Sequence, residues 1–104
     1  MSNTNNTEAT SNIFDTLKST YNFFTDPQHG WLQVRKAELD RLGLEKLVSS
    51  YSYIDKRREW VYLEEDVDAG IFLKTKDELG EEFKFIESFT DAPSPIRNLD
   101  RYVG

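Results

Sequence analysis

Four carboxylates fall within five residues at Glu64-Glu65-Asp66-Val67-Asp68. Acids this dense either hold a divalent cation or present negative charge to a basic partner. The stretch from Asp66 opens like a calcium loop and then fails as one. Gly70 stands at its fifth position and Asp77, rather than a bidentate Glu, at its twelfth. A Mg²⁺ site built from Glu64, Glu65, Asp66 and Asp68 would borrow substrate phosphates, and the chain has no Gly-rich loop to cradle them. Partner contact is the stronger reading. Residues 59–91 hold eleven acids and three lysines, a net of −8, whereas 1–58 and 92–104 each sum to +1. A negative half of this kind speeds association with a basic surface and can stand in for nucleic-acid phosphates. Part of the charge has a plainer use: Asp66 and Asp68 suit a helix start. Asp77 and Glu78, at that helix's exit, oppose its macrodipole.

Aromatic residues are the second feature. Tyr51 and Tyr53 alternate, as do Trp60 and Tyr62, so each pair shares one side of a strand. An open aromatic face binds, because Trp and Tyr dominate interface hot spots; a covered one is core. Catalytic groups are sparse. His29, the sole histidine, could act as a base oriented by Asp26, but both lie in one turn, where Asp usually bonds its own backbone. It pairs more simply with Trp31 as a packing residue. Ser49, Ser50 and Ser52 carry hydroxyls without a nucleophile elbow. Lys56-Arg57-Arg58 reads as solvated hairpin charge rather than a phosphate contact. No cysteine is present, which excludes disulfides, thiolate nucleophiles and Cys-based zinc sites.

The length of 104 residues supplies one domain. Hydrophobic residues make up 38% and charged residues 31%, with a net charge of −6, which disfavours a basic nucleic-acid binder. No apolar run approaches the roughly 20 residues of a membrane span. Residues 1–12 are rich in Ser, Thr and Asn, with no basic or apolar region of a secretory signal. They read as a disordered leader on a cytoplasmic protein.

These residues need elements to hold them. The aromatic and β-branched stretch Thr20–Thr25 reads as a strand, with a helix over Ile13–Phe23 as its rival. Asp26-Pro27-Gln28-His29-Gly30 has turn chemistry, and Trp31–Val34 returns as the second strand. Arg35–Leu42 favours helix, Gly43 suits its C-terminal cap, and Leu44, Leu47 and Val48 extend it by an apolar turn. Strands over Tyr51–Ile54 and Glu59–Leu63 follow, joined by the basic hairpin. Asp66 is the expected N-cap of a second helix that runs to Leu79 and stops at Gly80. Phe83–Phe89 is the last strand. The expectation is an α+β domain over residues 13–91, with a small antiparallel or mixed sheet in the order ββαββαβ and two helices on one face. Pro93 and Pro95 are expected to forbid helix or central strand in the tail, residues 92–104. Its Ile96, Leu99, Tyr102 and Val103 are apolar enough to dock on the domain.

The segment from Phe23 to Phe72 resembles a set of small uncharacterised proteins encoded by phages, prophages and plasmids. The residues that carry the resemblance are Phe23-Phe24-Thr25-Asp26-Pro27, His29-Gly30-Trp31-Leu32-x-Val34, Ser49-Ser50-Tyr51-Ser52-Tyr53 and Tyr62-Leu63-Glu64-Glu65-Asp66-x-Asp68-Ala69. Gln28 stands where that set has Gly, and Val67 where it has Cys. The resemblance implies a mobile-element origin and interference with host machinery. Together these features predict a non-enzymatic protein that needs no cofactor and binds a protein partner with a basic surface. It would touch neither nucleic acid nor membrane directly. Glu64, Glu65, Asp66 and Asp68 would supply the charged contact, with Trp60, Tyr62, Tyr51, Tyr53, His29 and Trp31 beside them. Two alternatives remain: a metal-dependent or small-molecule module on the same acids, and a structural or virion-assembly protein that self-associates through an edge strand.

Overall fold

A computed structural model describes residues 19–104; the polar leader and the residues up to 18 lie outside the described part. The chain runs through β1 (Ser19–Thr25), β2 (Gly30–Arg35), α1 (Lys36–Leu42), β3 (Tyr53–Ile54), β4 (Trp60–Glu64), α2 (Asp68–Glu78) and β5 (Phe83–Phe89). A 3₁₀ turn (Pro95–Asn98) and a two-residue strand, β6 (Asp100–Arg101), complete it. The expected α+β class holds, and the order goes beyond ββαββαβ by that closing strand. The six strands form one mixed sheet in the order β5-β1-β2-β4-β3-β6. Only β5 runs parallel to its neighbour, with Ser19 beside Phe83 and Thr25 beside Phe89. The β1–β2 and β3–β4 hairpins are antiparallel, and so is the β2–β4 pairing.

Period-two alternation sorts the side chains between two faces. Tyr21, Leu32, Val34, Ile54, Val61 and Leu63 lie on one face and join Leu39 of α1 and Ala69 and Phe72 of α2 in the main core. Both helices therefore cover the same face. The Tyr21 ring meets Phe72 edge to face at 5.4 Å, a favoured aromatic geometry. Gly43 takes φ 72°, the left-handed cap that lets its N–H reach back to the Asp40 carbonyl.

Where the structure departs from the sequence reading, side chains compete for backbone groups. Helix α2 starts at Asp68 with Val67 at its N-cap position, not with Asp66. The Glu64 carboxylate does the capping, accepting the backbone N–H groups of Asp66, Val67 and Asp68 at 2.8, 2.7 and 2.9 Å. Strand β3 begins at Tyr53, so Tyr51 shares no strand face with it. Asp68 captures Ser49 and Ser52, holding residues 49–52 in turns. The apolar turn expected after Leu42 is not helical: Leu44 is buried, but Leu47 is exposed.

The C-terminal residues are built into the fold. Tyr102 is buried in the main core, and its N–H donates to the Ser52 carbonyl. Ile96 and Leu99 lie against Trp31, Tyr53, Phe24 and Tyr62 on the face opposite the helices. Contrary to the expectation of no helix in the tail, Pro95 opens a short 3₁₀ helix, because at the first turn its missing N–H costs nothing. Val103 stays exposed.

Candidate functional site

On the sheet face away from the helices, the 3₁₀ segment covers only part of the aromatic surface. A cleft of about 420 Å³ opens beside it. Its floor is Trp31 and Tyr53, both buried, with rings 6.3 Å apart and nearly perpendicular. Each ring is braced by a guanidinium, Arg97 over Trp31 at 5.1 Å and Arg101 over Tyr53 at 5.0 Å. His29 flanks Trp31 at 6.2 Å. Tyr51 stands at the rim, 72% exposed. Glu64, Asp66 and Val67 complete the opposite wall.

The walls are held by polar hubs, each explained by a short stretch of sequence. Asp26 is buried at the end of β1. Its carboxylate accepts the N–H groups of Gln28 and His29, shaping the turn, and that of Ser94. It also takes both Nε and a terminal nitrogen of Arg97, at 2.8 and 3.0 Å. The Arg97 guanidinium first, and then these backbone donors, hold the Asp26 carboxyl far below the usual carboxylate range. Asp26 therefore orients backbone and an arginine, not the His29 imidazole, and no catalytic pair forms there. Gly30 follows because a Cβ would meet the Phe23 ring at 2.8 Å.

Asp68 is the second hub, 2% exposed. One of its oxygens accepts from the Ser49 N–H and from the hydroxyls of Ser49 and Ser52, at 3.0, 2.7 and 2.6 Å. Its other oxygen is buried and has no hydrogen-bond partner among the described residues. Ser52 also accepts the Glu64 N–H, so loop, strand and helix share one network. Ser49 and Ser52 are thereby held as hydrogen-bond donors to Asp68.

Six of the ten expected site residues therefore meet in the cleft: His29, Trp31, Tyr51, Tyr53, Glu64 and Asp66. Four do not. Asp68 is turned inward and cannot serve as an exposed contact. Glu65 is exposed but faces a separate groove on the helix side. Trp60 and Tyr62 lie on the cleft's side of the sheet but outside it, Trp60 under the Arg35 guanidinium at 4.2 Å. Tyr62 ends a hydrogen-bonded row with Gln33 and Asn22. The acidic run does not converge, because Glu64 faces helix N–H groups and Asp68 faces serines. Among the described residues no group of three His, Cys, Asp or Glu is placed to hold a metal ion, so the acid-cluster metal site is not formed. Arg97 and Arg101 were missed by the sequence reading; two arginines four apart in a Pro-containing tail carry no local signal of a cleft.

A second polar cluster lies across the molecule. Lys76 of α2 is 1% exposed, with its ammonium 2.6 Å from Glu38 and 2.9 Å from Glu81. Burial alone would lower its pKa; hydrogen bonds with Glu38, Tyr21 and Glu81 outweigh this and hold it above the ordinary lysine value. Arg41 and then Lys76 bring the Glu81 carboxyl down to about 2. This cluster clamps the start of β5 to both helices. Among the described residues no helix is long and apolar enough to cross a membrane. Comparison with protein-family models, with curated proteins and with solved structures finds no match.

Proposed function

We propose that this chain is a non-enzymatic binding domain that modulates a host or phage protein by seating one of its side chains in the Trp31–Tyr53 cleft. A single arrangement carries the reading: two braced aromatic rings form a floor, and Tyr51 stands over it 72% exposed. The floor rings are buried and fixed, so Tyr51 is the aromatic open to solvent, and an exposed tyrosine backed by a rigid floor is the usual anchor of a binding hot spot. The fitting partner segment has an aromatic or aliphatic residue for the floor and a basic residue for the Glu64–Asp66 wall, with Glu65 adding long-range attraction. A chain of net charge −6 speeds encounter with such a surface. The setting in which the partner is a host or phage enzyme comes from the resemblance to mobile-element proteins.

The cleft volume of about 420 Å³ supports a second reading, a small aromatic ligand on the same floor. The two readings separate in one experiment. Trp31 and Trp60 are the only tryptophans, so a Trp60→Phe background leaves Trp31 as a fluorescent reporter of the floor. Peptides selected by display on the wild type are titrated against this protein and against Tyr51→Ala and Asp66→Lys variants. The expected result is enrichment of basic–aromatic peptides, a Trp31 fluorescence change, and affinity weakened on the order of tenfold by Tyr51→Ala. Peptides that bind all variants alike, with no change at Trp31, overturn the reading. A free aromatic compound that binds where no peptide does moves the assignment to a small ligand.

A further inference from the structure

The opposite end of the sheet presents an open edge. β5 pairs with β1 on one side, and among the described residues no strand pairs with its other side. Beyond Phe83 every residue of this strand is exposed, including Phe85 at 42%, Ile86 at 55% and Phe89 at 68%. The edge is seven residues long and has no proline; Lys84 is its only basic residue. Natural edges of this length are usually blunted by bulges, proline or several charges.

Backbone parity shows which groups look outward. The Ser19 N–H donates to the Glu82 carbonyl, and the Thr90 N–H donates to the Thr25 carbonyl. The N–H and C=O of one strand residue point to the same side, and direction alternates along the strand. Even-numbered residues therefore face β1, and Phe83, Phe85, Glu87 and Phe89 direct their backbone groups away from the sheet. We propose that a second copy of this chain pairs there, β5 against β5 antiparallel, about a twofold axis at Ile86. In this register Phe83 lies opposite Phe89 of the other copy and Phe85 opposite Glu87. All four outward-facing residues exchange both backbone hydrogen bonds. Ile86 meets its own counterpart, and Lys84 lies opposite Ser88.

Charge and the length of the strand together select this register over its neighbours. An axis at Glu87 would set two glutamates against each other, which is destabilising for directly opposed side chains. An axis at Phe85 would leave Phe89 opposite Glu81, which lies outside the strand and is held by Arg41 and Lys76. The Ile86 register pairs no like charges. It also brings the exposed phenylalanines of both copies together on the helix side, the surface that a monomer leaves in water. The occupant is a copy of this chain because the strand is complementary to itself.

The absence of cysteine makes the test direct. Ile86 and its counterpart form a non-hydrogen-bonded pair with Cα atoms about 4.5 Å apart, within disulfide range. Ile86→Cys, Lys84→Cys and Ser88→Cys are made in the full chain; all three positions are exposed, so folding is retained. Under mild oxidation Ile86→Cys is expected to cross-link at least tenfold faster than either of the others alone, and Lys84→Cys mixed with Ser88→Cys is expected to cross-link as well. Light scattering of the wild type is expected to give twice the 12.2 kDa chain mass, and Ile86→Lys to return it to one. Equal cross-linking rates, or a wild type that stays monomeric at high concentration, overturn the proposal. Concentration-independent protection of the Phe85 and Glu87 amides in a monomer also overturns it, because the chain itself then closes the edge.

Discussion

The two ends of the sheet are stabilised in opposite ways. At the β4-β3-β6 end the strands are short, two residues in β3 and two in β6, too short to persist on backbone pairing alone. Buried carboxylates hold them: Asp68 gathers Ser49 and Ser52 just before β3, and Asp26, at the end of β1, reaches across to anchor Ser94 and Arg97 of the tail that leads into β6. At the β5 end a seven-residue strand makes a full parallel ladder, yet beyond Phe83 its residues stay exposed. Only its root is clamped, through Glu81 to Lys76 and Arg41. Backbone pairing can define a strand without burying it, whereas buried polar hubs can fix irregular chain precisely enough to shape a cleft. The first end is built to present side chains and the second to present backbone.

If that contrast is right, the largest stability loss comes from a hub. Asp68→Ala removes the shared acceptor of the Ser49 and Ser52 hydroxyls and of the Ser49 N–H, and the expected cost is about 3 kcal/mol by urea denaturation. A loss within experimental error would show that the hub is dispensable and the contrast false. Lys76→Met at the other end should cost less, about 2 kcal/mol. Arg41 remains beside both Glu38 and Glu81, so the glutamates keep a cation. In the same variant the Glu81 pKa should rise from about 2, as read by carbon-detected NMR titration.

Acid separates the two ends further. Asp26 and Glu81 both have carboxyls lowered by folding, so each contributes stability above the unfolded carboxylate range, near pH 4. That contribution is lost as pH falls, through about 2 for Glu81 and further down for Asp26. Melting temperature should therefore drop steadily below about pH 4, and Asp26→Asn should flatten the lower part of that limb. The same substitution should speed exchange of the Ser94 amide on the order of tenfold while leaving β5 amides unchanged. Equal acceleration at both ends would mean that they open as one unit. The smallest effects are expected at exposed residues: Tyr51→Ala and Ile86→Lys should each change stability by no more than about 0.5 kcal/mol. Their cost should be seen instead in binding and in self-association.

Much of the fold was legible in the chain. Alternation in Trp31-Leu32-Gln33-Val34 and Trp60-Val61-Tyr62-Leu63 marks half-buried strands, because period two directs neighbours to opposite faces. Gly43 marks a helix end because only glycine takes the left-handed cap readily. The site was less legible. Tyr51 and Tyr53 look like a strand pair locally, and a side chain sixteen residues away from Ser52, Asp68, decides otherwise. Asp66 has the composition of an N-cap, but the longer reach of Glu64 satisfies the same donors. Arg97 and Arg101 became site residues only through long-range docking of the tail.

The sequence by itself determined the class, five of the six strands of the described residues, the two α-helices and the surplus of negative charge in the second half. These follow from local periodicity, backbone preference and counting. Tertiary structure alone decided which acids face water and which face inward, which aromatic rings form a floor, and which strand edge is left unpaired among the described residues. Those outcomes depend on contacts between residues far apart in sequence, such as Asp26 with Arg97. No local pattern encodes them, because a carboxylate is neutral in its preference until the fold supplies its donors.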